Sequence, residues 1–195
     1  MDDRQAGAGG EPGQENDDKD RINHHGHSLV HSIVAAAVLP AQMPIHLTRG
    51  DLLQSDAQAL VNPVNCVGVM GRGLALEFKR AWPENFRAYA KACKTGEVVP
   101  GRMFIHPAGE RVIVNFPTKR NWRDPSRLED IEAGLVALVA EVRRLGIRSV
   151  AIPPLGCGLG GLAWAEVRPR IEGAFVALPD VEAWIYAPDE ASPAP

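Results

Sequence analysis

Apolar and polar positions alternate along the middle of this chain in two distinct periods, and the switches between the periods mark its elements. Short apolar runs at residues 45–48, 59–62, 149–152 and 181–186 have the length and side-chain types of strands. The clearest helical pattern covers 127–145, where Leu128, Ile131, Leu135, Leu138, Val139, Val142 and Leu145 fall on one face. Ser126 and Glu129 have capping-box spacing at its start, and Gly146 supplies the stop. Residues 73–80 predict a short helix with Leu74, Phe78 and Ala81 on one side. Pro83 then opens a second helix at the tolerated first-turn position and Gly96 closes it. Two β-rich runs, 102–106 and 111–115, are joined by Pro107-Ala108-Gly109-Glu110 as a hairpin, and 164–178 forms a last helix that Pro169 is expected to kink. Strands and helices alternating around one hairpin predict an α/β domain, a three-layer α/β/α arrangement with a mixed, mostly central sheet.

The flanks differ. Residues 1–27 are rich in Gly, Asp, Glu, Asn and Gln and carry too little apolar surface to offset ordering entropy, so they read as a disordered tail. Residues 28–43 form an N-terminal extension with an apolar run at 33–40, short helix or strand. The domain spans 44–187, and 188–195 is a C-terminal tail. His24, His25 and His27 lack Cys or carboxylate partners at ligand spacing, which makes a metal site unexpected. The run at 33–40 is far below the roughly 18 to 20 residues of a membrane span. Three cysteines without C-x-x-C spacing and no signal peptide point to a reducing cytoplasm. Net charge is −3, but the first 21 residues hold seven acids against three bases, so the remainder is nearly neutral. That balance argues against a generic nucleic-acid coat and leaves room for a local basic patch.

Two glycine-rich loops carry the chemistry. One follows the strand at 59–62 and runs through Gly68-Val69-Met70-Gly71-Arg72-Gly73; the other follows the strand at 149–152 and runs from Pro153 to Gly161. Loops at the carboxyl ends of βα strands are where ligands bind, and glycines there let backbone N–H groups close on a phosphate. A diphosphate ligand is therefore expected. Gly156-Cys157-Gly158-Leu159-Gly160-Gly161 matches G-x-G-x-x-G, but it follows the penultimate strand and lacks an acid at the end of the next one, which disfavours a nicotinamide enzyme.

Gly50-Asp51-Leu52, Val61-Asn62-Pro63-Val64-Asn65, the first glycine loop and Ile152-Pro153-Pro154-Leu155-Gly156-Cys157-Gly158 together resemble the macrodomain family, which binds ADP-ribose. Asn115-Phe116-Pro117-Thr118-Lys119, Trp122, the segment 126–132 and the long second loop look most like its DNA ADP-ribosyl glycohydrolase antitoxins, the DarG class. The resemblance implies that Asp51 bonds the adenine amine, with a backbone contact from Leu52 nearby, and that Asn65 holds the distal ribose. Val69, Met70, Gly71, Gly73 and Leu74, Thr118, and Pro154, Leu155, Gly156, Cys157, Gly158 and Leu159 would complete the ADP-ribose site. Lys119 would be catalytic, as nucleophile or as acid. In related protein glycohydrolases a lysine works with an aspartate of the second loop, and here that position is Gly160.

Arg120, Trp122 and Arg123, with Phe116 interleaved, would contact DNA. The expected partners are ADP-ribose, ADP-ribosylated DNA modified on thymine, and a cognate DNA ADP-ribosyltransferase toxin; no cofactor, metal or membrane is implied. Longer members continue into a toxin-binding domain, which the few residues after Tyr186 do not supply. Two other readings stay open. One is a protein mono-ADP-ribosyl hydrolase acting on acidic side-chain esters, and the other is a non-catalytic ADP-ribose reader. Each residue also has a plain alternative: Asp51 in an Asx turn, Asn65 capping its loop, Lys119 in a solvated basic loop, Cys157 as a small filler.

Overall fold

The computed structural model describes residues 45–188. The readings made for 1–43, for the three histidines and for 189–195 lie outside the described residues.

Along the chain the elements are β1 (Ile45–Thr48), a 3-10 turn (Leu52–Gln54), β2 (Ala59–Asn65), α1 (Gly73–Ala81), α2 (Pro83–Lys94), β3 (Phe104–Ala108), β4 (Arg111–Lys119), α3 (Leu128–Leu145), β5 (Ser149–Ile152), α4 (Trp164–Val176) and β6 (Glu182–Tyr186). The strands form one sheet in the order β1-β6-β5-β2-β4-β3. All neighbours are parallel except β3 and β4, which form the antiparallel hairpin at one edge. The carboxyl ends of β1, β2, β4, β5 and β6 therefore lie along one rim, and the loops after them converge there.

Side-chain alternation along β2 divides the interior into layers. Ala59 and Val61 join a core with Ile131, Leu135, Leu138 and Val142 of α3 and Val167, Ile171 and Phe175 of α4. Leu60 faces the other way, toward Phe78 of α1, and Val64 packs with Met70 and with Tyr89 and Ala92 of α2. Strand period 2 thus directs successive residues into two helical layers, giving the three-layer α/β/α arrangement expected.

Two differences from the sequence reading have physical causes. β2 and β4 run on to Asn65 and Lys119, through Pro63 and Pro117. Proline reads as a strand end because it lacks a ladder donor, but β2 pairs with β5 only at Ala59 and Leu60 and continues beyond as the partner of β4. The register slips after Val64↔Pro117, so that Asn65 sits opposite Lys119. Such an irregularity re-aims the side chain that follows it. The capping box of α3 does not form: Arg127 is the N-cap without a side-chain bond, and the buried Ser126 hydroxyl has no partner among the described residues. α4 runs from Trp164 through Pro169 to Val176.

Candidate active site

A cavity of about 810 Å³ opens at the rim where the strands end. Its walls are the first glycine loop with the start of α1, the second glycine loop, and the end of β4 with the segment after it. Asn65, Val69, Gly71, Gly73, Leu74, Thr118, Lys119, Trp122, Arg123, Pro154, Gly156, Gly158 and Leu159 line it, all of them positions singled out in the sequence. Pro63, Val64, Arg72, Ala75, Pro153 and Gly160 line it as well and had not been assigned to the ligand.

The first loop is held by Asn65. Its Oδ1 accepts from the N–H groups of Val67 (3.0 Å) and Val69 (3.2 Å), its Nδ2 donates to the Val69 carbonyl at 2.6 Å, and the Tyr89 hydroxyl donates to its carbonyl at 2.7 Å. The carboxamide thereby folds the loop from its place on the cavity wall. Below it, Asn62 donates to Asn115 Oδ1 (2.9 Å) and sits 3.9 Å from Met70 Sδ, while Asn115 and Asn85 exchange hydrogen bonds of 2.7 and 3.2 Å. This buried asparagine network fixes the underside of the loop. The asparagines inside the apolar strands at 62 and 115 were its trace in the sequence.

What the loops offer is backbone N–H. Helix α1 begins at Gly73 with no side-chain cap on Arg72 and no acid in its first turn, so its unpaired N–H groups and the positive end of its dipole face the cavity. In the second loop the N–H of Cys157 is taken by the Pro154 carbonyl and that of Gly161 by Gly158. The N–H groups of Gly158, Leu159 and Gly160 donate to no backbone carbonyl among the described residues. Two such nests in the cavity wall suit the two phosphates of a diphosphate.

Lys119 stands at the end of β4, on the cavity wall. Its Nζ donates to the Leu159 carbonyl, so the lysine bridges β4 and the second loop. Burial holds the amine below its ordinary value, partly offset by the Asp124 carboxylate. Beyond it Trp122 is 48% exposed, and the Arg123 guanidinium lies 4.5 Å from its ring centroid.

The other assigned residues lie off the wall. Asp51 is exposed and caps the 3-10 turn, its Oδ1 accepting from Leu53 N–H at 2.9 Å, while Leu52 is buried beneath. Met70 and Leu155 belong to the core. Cys157 turns its Sγ toward the Leu155 carbonyl at 3.6 Å, and burial pushes the thiol up to about 11, which disqualifies it as a nucleophile near neutral pH. Arg120 forks onto Asp130 with bonds of 3.1 and 3.0 Å, tying the segment after β4 to α3. Phe116 is fully buried against Gly134 of α3, so the aromatic reading at the mouth is corrected for it. Among the described residues no cluster of three metal-ligating side chains occurs, and no helix is long and apolar enough to cross a membrane.

Comparison with known proteins gives these features a family. A DNA ADP-ribosyl glycohydrolase of Mycobacterium tuberculosis is 56% identical over 147 residues, which are 73% of this chain and 42% of the relative. The chain therefore spans about two fifths of that relative's length. The macrodomain of Mycobacterium tuberculosis DarG superposes with a TM-score of 0.73 at 55% identity, covering 75% of this chain and all of that one. Thermosipho africanus DarTG in complex with ADP-ribose superposes with a TM-score of 0.70 at 35% identity, over 75% of this chain and 42% of that one. The model of the Macro domain matches residues 61–171, and on that match and this fold the chain belongs to the macrodomain family.

Proposed function

We propose that this chain is an ADP-ribosyl glycohydrolase that removes a single ADP-ribose from a thymine base of DNA. The observation that carries the reading is the place of Lys119: at the rim of a cavity with diphosphate-type nests on two walls, next to an exposed tryptophan and arginine. The name borne by the relatives above, DNA ADP-ribosyl glycohydrolase, supports it.

In this account the nests hold the diphosphate, Asp51 takes the adenine amine, and the distal ribose lies between Asn65 and Lys119. Breaking the N-glycosidic bond puts positive charge on the ribose, and a cavity that fixes the rest of the ligand lowers the barrier by positioning. Lys119, attached to the Leu159 carbonyl by one N–H, keeps its other valences for the ribose. As an ammonium it gives a proton to the departing thymine or to the ribose ring oxygen while water adds at the anomeric carbon; as an amine, favoured by its burial, it attacks the anomeric carbon and expels thymine, and water then frees the ADP-ribose from the lysine. Trp122 offers a face on which a nucleobase stacks, and Arg123 a partner for a backbone phosphate. Acting on DNA, the activity reverses the modification made by a DNA ADP-ribosyltransferase, the role of an antitoxin in the cytoplasm.

The deciding experiment offers the protein two substrates side by side, an oligonucleotide ADP-ribosylated on thymine and an automodified protein with acidic-residue esters, and follows free ADP-ribose. Release from DNA alone is expected. Release from protein alone transfers the activity to the ester hydrolases, and release from neither, with ADP-ribose still bound, makes the chain a reader.

A further inference from the structure

Ser126 has capping-box spacing in the sequence, yet it leaves α3 uncapped and is buried instead under the second glycine loop. Its N–H donates to the Gly160 carbonyl at 2.9 Å. Its Oγ lies 2.2 Å from the point where a Cβ on Gly160 would stand and 3.1 Å from the equivalent point on Gly156. The two glycines form a seat, and the hydroxyl fills it. That hydroxyl has no hydrogen-bond partner among the described residues. A buried orphan hydroxyl is destabilising, so stability does not account for a serine where alanine has the room.

Lys119, earlier in the same connecting segment, supplies the reason. Lys119 and Ser126 are the two ends of the segment that joins β4 to α3, and each grips the second loop at adjacent residues: Lys119 at the Leu159 carbonyl, Ser126 at Gly160. The Leu159 carbonyl belongs to the peptide that enters Gly160. Whatever fixes Gly160 therefore fixes the acceptor that aims the lysine. Side chains at Gly160 are barred from both directions, since the Gly156 carbonyl oxygen is only 2.3 Å from the same Cβ point.

We propose that Ser126 is a positioning residue for the glycohydrolase reaction, clamping Gly160 so that the Leu159 carbonyl holds Lys119 toward the bound ribose. The inference rests on the catalytic reading of Lys119. It extends that reading to a residue outside the cavity wall, and it makes the lysine segment and the phosphate loop one clasp.

Two variants test it. Ser126→Ala empties the seat while keeping the backbone bond. Single-turnover release of ADP-ribose should fall at least about tenfold, with ADP-ribose affinity within about threefold and no loss of melting temperature. Gly160→Ala drives a methyl into Ser126 and the Gly156 carbonyl, so the clasp opens. Amide exchange at Ser126 N–H should then quicken at least about tenfold while the core of α3 stays protected. Unchanged release in Ser126→Ala, or a loss of rate that only follows a fall in melting temperature, overturns the proposal. So does unchanged exchange at Ser126 in Gly160→Ala. A wild type that releases nothing from DNA defeats the function reading instead, and the exchange result still decides whether the clasp exists.

Discussion

Gly158 separates the phosphate cradle from the scaffold that carries it. Nothing lies within 4 Å of a Cβ built there, and its backbone is not in the left-handed region. In the free protein an alanine therefore fits, and by restricting the unfolded chain it should stabilise by about 0.4 to 1 kcal/mol. For a domain of this size that is a rise of about 1 to 4 °C in melting temperature. The bound state should respond oppositely. The methyl group stands where the loop must approach a phosphate oxygen, and losing one N–H bond to a charged acceptor costs about 1.5 to 3 kcal/mol, roughly 10- to 150-fold in Kd. Calorimetric titration with ADP-ribose and a thermal melt on the same sample read both signs. Gly156→Ala is the control: its φ is +73° and its Cβ would come 2.8 Å from Leu162 Cδ1, so stability and affinity should fall together. If Gly158→Ala binds ADP-ribose within about threefold of wild type, the second loop does not close on the diphosphate.

Three further outcomes follow from other parts of the molecule. Asp51→Asn keeps an acceptor for the Leu53 N–H but loses the charge, so ADP-ribose should bind about fivefold more weakly and Asp51→Ala weaker still; unchanged calorimetry for Asp51→Ala removes the adenine assignment. Gly134→Ala places a methyl 2.2 Å from Phe116 Cζ, and the overlap should outweigh the helix gain and cost about 1 to 3 kcal/mol in urea unfolding; a more stable variant would contradict the close packing of β4 on α3. The Lys119 amine should titrate below the ordinary lysine value of 10.5, because burial disfavours its charge. With the folded value depressed, the unfolded chain holds the extra proton between the two midpoints, so this group's contribution to stability rises with pH through that window. Nitrogen-15 spectra of the side-chain amine give the midpoint directly, and a value at or above that of a free lysine refutes the burial argument.

Much of the fold was legible because its signals were local and unopposed. The 3.6-residue pattern of 127–145 and the stop at Gly146 gave α3 almost to the residue, with Gly146 left-handed at φ +64°. The order of strands and glycine loops placed the cavity. What the sequence hid was set by tertiary contacts. The runs read at 59–62 and 111–115 stop short of Pro63 and Pro117, and the pairing of β2 with β4 carries both strands past these prolines to Asn65 and Lys119. Ser126 has the spacing of a cap, and the glycine seat across the rim claims it. Phe116 lies close to basic residues in sequence, but it follows Val114 onto the α3 face of β4, and the register slip beyond Pro117 brings Thr118 and Lys119 to the cavity at the strand's end. Arg120 belongs to Asp130, a pairing across ten residues that no local pattern announces.

In the proposed reaction Lys119 breaks the bond and the two nests hold the ligand. The most direct test is Lys119→Ala in single-turnover release of ADP-ribose from an oligonucleotide modified on thymine, beside calorimetry with ADP-ribose. Loss of a positioned acid or nucleophile should slow release by at least about 10² to 10³-fold, while affinity changes by less than about 1 kcal/mol. Near wild-type release by Lys119→Ala would take the lysine out of the mechanism, and an equal loss of binding and rate would place it in the cradle instead.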